Sequence, residues 1–180
     1  MLADRAPRAR APGSAGPPVS VPVGPYGDRV NRRRQIQMTP AEVQAFLVEA
    51  RDLTMCSFNH DGTIHAVAMW YGFLDGDVAV QTKAKSQKIK NLRRDPRVSC
   101  LVAAGRGYEE LRGVELVGWA EFVEDPERLW TIGVSVFERH VAPYREPDNR
   151  AAVEALLHNR VGVRLRVERT VTWDHRKLGG

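Results

Sequence analysis

Thr82-Lys83-Ala84-Lys85-Ser86-Gln87-Lys88-Ile89-Lys90-Asn91-Leu92-Arg93-Arg94 carries six cationic side chains and no acid. The run Asp77-Val78-Ala79-Val80-Gln81 leads into it with the composition of a strand, and Asp95-Pro96 ends it. Ser86 stands where a helix N-cap belongs, and Ile89 with Leu92 forms a short apolar stripe at helical spacing. The pattern predicts a strand that runs directly into a helix N-terminus. Such a junction presents backbone N–H groups and the positive end of a helix dipole. A Ser hydroxyl and a Lys ammonium added there make a receptor for a phosphate monoester. A solvated helix face would carry the same charges, so the surrounding chain decides between the two readings.

Upstream, Thr39-Pro40-Ala41-Glu42 is a capping box with Pro at N1, and it predicts a helix to about Ala50. Leu53–Phe58 and Thr63–Leu74 read as strands hinged on Asp61-Gly62, and Asp75-Gly76-Asp77 turns the second into Val78–Gln81. The long Thr63–Leu74 strand is apolar on both faces, which predicts cover on both sides. Downstream, Arg97–Ala104 and Val114–Val123 read as strands, and Asp125-Pro126 caps a helix to about His140. A helix from Pro147 to about His158 precedes a last strand. That strand alternates, with Val161, Val163, Leu165, Val167, Val171 and Trp173 expected on one side. Six antiparallel strands with few helices and no βαβ rhythm predict a mainly β fold, a small closed barrel spanning residues 39–180.

The net charge of +5 belongs to the N-terminus. Residues 1–38 hold seven Arg and two Asp, and the other 142 residues hold 20 basic and 20 acidic side chains. Ten of the 21 positions from Pro7 to Gly27 are Pro or Gly, so residues 1–38 are expected to form a disordered arm. A neutral body is not expected to bind nucleic acid. The longest apolar runs fall short of the ~20 residues of a membrane span, and the N-terminus lacks the apolar core of a signal peptide. Cys56 and Cys100 each sit in a strand-like run and read as free thiols in a reducing compartment. The expectation is a cytoplasmic protein with no membrane contact.

The chain holds no Gly-x-Gly-x-x-Gly, no Walker loop, no Gly-x-Ser-x-Gly elbow and no zinc-spaced Cys/His cluster. Any chemistry is therefore expected from a cofactor rather than from a protein nucleophile or a metal.

The order of landmarks is specific. It runs from a strand pair on Asp61-Gly62, through Met69-Trp70-Tyr71-Gly72 and the Thr82-x-x-x-Ser86-x-Lys88 run, to Asp95-Pro96-Arg97-Val98 and Gly118-Trp119-Ala120-Glu121. This series resembles the split β-barrel flavin-binding superfamily typified by pyridoxamine 5′-phosphate oxidase, and within it the branch that uses the deazaflavin coenzyme F420. The resemblance implies that Ser86 and Lys88 hold the phosphate arm, that Thr82 closes the strand beside it, and that Lys83 and Lys85 reach a polyanionic tail. It places Met69 and Trp70 beside the cofactor ring. It also implies a homodimer with sites at the interface, each enclosed by the partner's C-terminal strand, here Trp173 with Lys177 following. The family's oxidases carry a basic residue beside the Ser and an Arg-rich C-terminus, where this chain has Gln87 and Trp173-Asp174-His175-Arg176-Lys177-Leu178. That departure points away from vitamin B6 oxidation. The extra cations favour F420 over FMN.

The expected function is hydride transfer from reduced F420 to a small-molecule acceptor: a conjugated carbonyl, quinone or tetrapyrrole. The alternatives are an FMN-dependent flavoprotein and a non-catalytic flavin- or haem-binding protein. No catalytic residue is assigned. Tyr71, His65 and Lys177 are the candidates for a proton donor, and Gly105–Glu110 with residues 141–147 the expected substrate walls.

Overall fold

The computed structural model describes residues 32–179. After a short helix, α1 (Arg32–Gln35), the capping box starts α2 (Pro40–Glu49), with the Thr39 hydroxyl and the Glu42 carboxylate each accepting from the other's backbone N–H. The strands are β1 (Asp52–Phe58), β2 (Ile64–Trp70), β3 (Gly72–Leu74), β4 (Asp77–Lys83), β5 (Arg97–Ala104), β6 (Arg112–Val123) and β7 (Arg160–Asp174). The helices α3 (Gln87–Arg94), α4 (Pro126–His140) and α5 (Arg150–Leu157) lie between them. No described helix is long and apolar enough to cross a membrane.

All seven strands form one antiparallel sheet in the order β2-β1-β5-β6-β7-β4-β3. Its two edge strands, β2 and β3, are consecutive in the chain and separated by Tyr71 alone. The sheet must therefore curl until its edges meet at that residue, which makes the fold a split barrel rather than an open sheet. One strand was expected over 63–74, and the structure divides it in two. The break has a local cause. Tyr71 is wholly buried, and its hydroxyl donates to Leu47 O at 2.6 Å, which pulls the backbone off the line of β2.

Burial pushes the Tyr71 phenol up to about 12, an effect partly opposed by the Arg139 guanidinium over its ring. The folded state thus keeps a proton that the unfolded chain releases near pH 10. The stability this gives is complete below pH 10 and is lost as the pH rises towards about 12. Tyr71→Phe should cost about 1 kcal/mol at neutral pH and flatten the alkaline limb of a urea-denaturation profile.

The last strand corrects a second expectation. Val117 pairs with Arg169 but Gly118 pairs with Val167, so Glu168 is an extra residue on β7. Such a bulge exchanges the two faces of the strand. Val163 and Leu165 face the core, opposite Phe122 and Ala120, whereas Val171 and Trp173 pair with Glu115 and Gly113 on the outer face. Gly118 permits this, because a Cβ there would lie 2.0 Å from Arg166 O.

No described residue covers the outer face of β2. Ile64, Ala66, Ala68 and Trp70 are exposed, with Phe58 beside Ile64 and Trp119 on the same face. Inside the curl, Leu53, Met55, Val80, Ile89, Leu92, Cys100, Val102, Val114 and Leu165 form the main core. A second cluster joins Ile132 and Val136 of α4 to Leu74, Ala79 and Val123. Helix α5 begins three residues later than expected, after a cis Glu146–Pro147 bond.

Of the arm expected over residues 1–38, residues 1–31 lie outside the described residues. Residues 32–38, assigned to it by composition, include α1 and are tied to β7. Ile36 O accepts from Asp174 N at 2.7 Å, and Met38 N donates to Thr172 Oγ1 at 2.9 Å.

Candidate cofactor site

Beyond its pairing with β3, the edge of β4 faces the end of β2 across the split. A cavity of about 360 Å³ occupies this slot, lined by Ala68, Met69 and Trp70 of β2, Gln81 and Thr82 of β4, Lys88, Leu156 and Arg160. This volume falls in the range of small-molecule pockets. Helix α3 is fixed there by Ile89 and Leu92 in the core and by buried Asn91, whose Nδ2 donates to Ser57 Oγ and to Asn59 Oδ1 at 3.0 Å. Its N-terminus thus opens at the slot.

Ser86 holds N-cap geometry but does not cap, since its hydroxyl makes no bond to the helix. Its Oγ is buried without a partner among the described residues. Lys88 Nζ donates to Thr82 Oγ1 at 3.2 Å. Burial, and then the neighbouring Arg160, hold the Lys88 ammonium below the usual lysine range. No carboxylate lines the cavity, and neither Lys88 nor Arg160 is in an ion pair among the described residues. Two uncompensated cations in one slot, with an orphaned Ser86 hydroxyl close by in the chain, are what a phosphate monoester requires. The residues present therefore fit the phosphate arm of a flavin or deazaflavin.

Trp70 forms part of one wall and stacks on His140, with ring centroids 4.5 Å apart and planes at 8°. Gln81 is 6% exposed, its Oε1 buried and unpartnered, and no hydrogen bond to its Nε2 occurs among the described residues. A buried polar group left unsatisfied costs about 1–3 kcal/mol, so a ligand that bonded to Ser86 and Gln81 would stabilise the fold.

Of the residues expected at the site, the fold brings Met69, Trp70, Thr82 and Lys88 around one cavity, with Ser86 beside them in the chain. Lys83 and Lys85 are exposed at the end of β4 and in the turn that follows. Trp173 lies elsewhere in the chain, packed over Gly113 where a Cβ would be 2.3 Å from its ring. Lys177 Nζ donates to Gln37 O at 2.7 Å and to Glu42 Oε2 at 2.6 Å, a structural tie to α2. None of the three proton-donor candidates lines the cavity. Tyr71 is turned into the core, and half-buried His65 pairs with Ser57 on β1. Sequence reasoning missed Gln81 and Arg160. A polar residue directly after the apolar Val78–Val80 run was a signal for the first, but Arg160 reaches the slot only through the β4–β7 ladder.

Residues 39–174 match the family described as pyridoxamine 5′-phosphate oxidase. The chain belongs to the pyridoxamine 5′-phosphate oxidase family. The crystal structure of a conserved hypothetical protein from Mycobacterium tuberculosis is 48% identical, with a TM-score of 0.79 over 82% of this chain and 92% of that one. More distant family folds include an F420 reductase (24% identity, TM-score 0.53, covering 71% of this chain and 94% of that one). They also include a haem storage protein from Vibrio cholerae (16% identity, TM-score 0.59, covering 76% of this chain and 96% of that one). At those identities the likeness shows the fold alone. No curated protein matches.

Proposed function

We propose that this member of the pyridoxamine 5′-phosphate oxidase family is a dimeric reductase that uses reduced coenzyme F420 to reduce an electrophilic organic acceptor such as a conjugated carbonyl, quinone or tetrapyrrole. The observation that supports it most is a slot lined by Lys88 and Arg160 and by no carboxylate, close in the chain to Ser86, whose Oγ is buried and without a partner among the described residues. When bound, the deazaflavin supplies the hydride. Lys88, held by Thr82, and Arg160 bind the phosphate, and Ser86 Oγ hydrogen-bonds to it. Met69 and Trp70 side the ring and keep water from it, which leaves positioning as the protein's main contribution.

Lys83 and Lys85 are exposed next to the phosphate end and make no ion pair among the described residues, which suits a longer anionic tail than that of FMN. No His, Cys or Tyr lines this slot, which leaves Met69 as the one lining side chain of a type that ligates haem iron. The exposed apolar face of Ile64, Trp70, Phe58 and Trp119 supports a second copy as the cover.

Titration of the purified protein with F420 and with FMN, followed by Trp fluorescence, tests this reading. F420 should bind more tightly and quench Trp70, and the protein should sediment as two chains. Tighter FMN binding would replace the reductase by an FMN flavoprotein, and no binding of either would end the proposal.

A further inference from the structure

We infer that Gln81 reads the ring of the bound cofactor, its carboxamide pairing with the cyclic imide edge that flavins and deazaflavins share. This rests on the cofactor reading above.

Three observations carry it. First, Gln81 lies on the same cavity as Met69 and Trp70, the residues that side the ring, and not only with the cations. Second, it is 6% exposed and neither amide atom has a described partner, whereas the Thr82 hydroxyl beside it is used by Lys88. Third, the fold does not require an amide there. The preceding residue on that side of β4 is Ala79, which packs against apolar Ile132 and Val136, and Leu156 lines the cavity with Gln81. An apolar side chain of similar length would continue that packing without burying unpaired polar atoms. A carboxamide offers a carbonyl acceptor beside an N–H donor. A cyclic imide offers the complementary N–H beside a carbonyl, and it pairs with both at once. Hydroxyls of the polyol chain that links ring to phosphate could also meet an amide, and the experiment separates the two.

Gln81→Met and Gln81→Glu should be compared with the unaltered protein in two measurements: melting of the unliganded protein, and affinity for F420, FMN and lumiflavin. Lumiflavin has the ring but neither polyol nor phosphate. The expected result is that unliganded Gln81→Met melts at or above the original temperature while affinity for all three ligands falls about 10- to 100-fold, the value of two net hydrogen bonds. Gln81→Glu keeps the shape but sets an oxygen against the imide carbonyl, so it should lose affinity similarly. A lower melting temperature for Gln81→Met with unchanged affinities would assign the amide to the fold and overturn the inference. So would weakening in Gln81→Met together with normal binding in Gln81→Glu. Loss of FMN affinity with lumiflavin unaffected would transfer the contact to the polyol and overturn the ring assignment. If the unaltered protein binds neither F420 nor FMN, the cofactor reading itself fails and takes this inference with it.

Discussion

Lys88→Ala should weaken binding of F420 by about 10- to 100-fold, the value of one charge-assisted hydrogen bond to a phosphate. The residue has no described carboxylate to pair with, and its contact with Thr82 Oγ1 aims it along the slot rather than into solvent. Its removal should also lessen the salt dependence of binding, because one fewer cation meets the anion. The pH dependence has a definite sign. Burial and Arg160 lower the Lys88 pKa in the unliganded fold, so its charge is lost below the ordinary lysine value as pH rises. Affinity should therefore begin to fall at a lower pH than an exposed lysine would give. The unliganded protein behaves in the opposite way. The unfolded chain holds the proton more tightly, so over the same interval Lys88 makes folding more favourable as pH rises. An isothermal titration series across alkaline pH, with Lys88→Ala as reference, measures this. An affinity that declines only at the ordinary lysine value, or a Lys88→Ala that binds normally, would make the basic run a solvated helix.

Arg139→Met should cost about 3 kcal/mol of stability, the largest effect expected from any single change outside the main core. Arg139, in the last turn of α4, donates to Leu47 O, Val48 O and Ala50 O at the end of α2 and to Tyr71 O at the barrel break. Its guanidinium also lies 4.6 Å from the Tyr71 ring centroid and 4.9 Å from that of Phe73. No carboxylate among the described residues neutralises it, and burial lowers its pKa. The partner of the charge is the negative end of α2, whose last carbonyls have no intrahelical donor. Met fills the same volume but leaves Val48 O without a donor, and Leu47 O and Ala50 O with the Tyr71 hydroxyl alone. Arg139→Lys should recover only part of the loss, because one ammonium cannot reach four acceptors spread over two elements. Chemical denaturation of the three proteins checks this, and a Met variant as stable as the original would remove Arg139 from its structural role.

Much of the architecture was legible locally. The capping box at Thr39–Glu42, the Asp61-Gly62 turn with Gly62 at φ +83°, and the Asp125-Pro126 helix start all appear where residue chemistry placed them. These signals lie within four residues of each other, so pattern suffices. What failed depended on distant pairing. The β7 bulge needs Gly118 to admit the Arg166 carbonyl, and that contact bridges about fifty residues of chain. The break at Tyr71 depends on carbonyls of α2. That Thr82 and Lys88 meet at one cavity was legible because they are close in sequence. Arg160 and Gln81 were not, because a charge at a strand start and an amide in a strand become meaningful only when β7 lies beside β4.

The hydrogen bond between Ile36 and Asp174 has a topological consequence. The first and last segments of the folded body are neighbours, so the chain is nearly a ring with one missing link. A short Gly-rich tether from Leu178 to Ile36 would close it, and the exposed Asp61-Gly62 turn offers a place to reopen it. Such a permuted chain would keep every strand pairing and the slot between β2 and β4, while β1 and β2 became its two ends. The arrangement of the elements in space is in this sense independent of where the polypeptide starts.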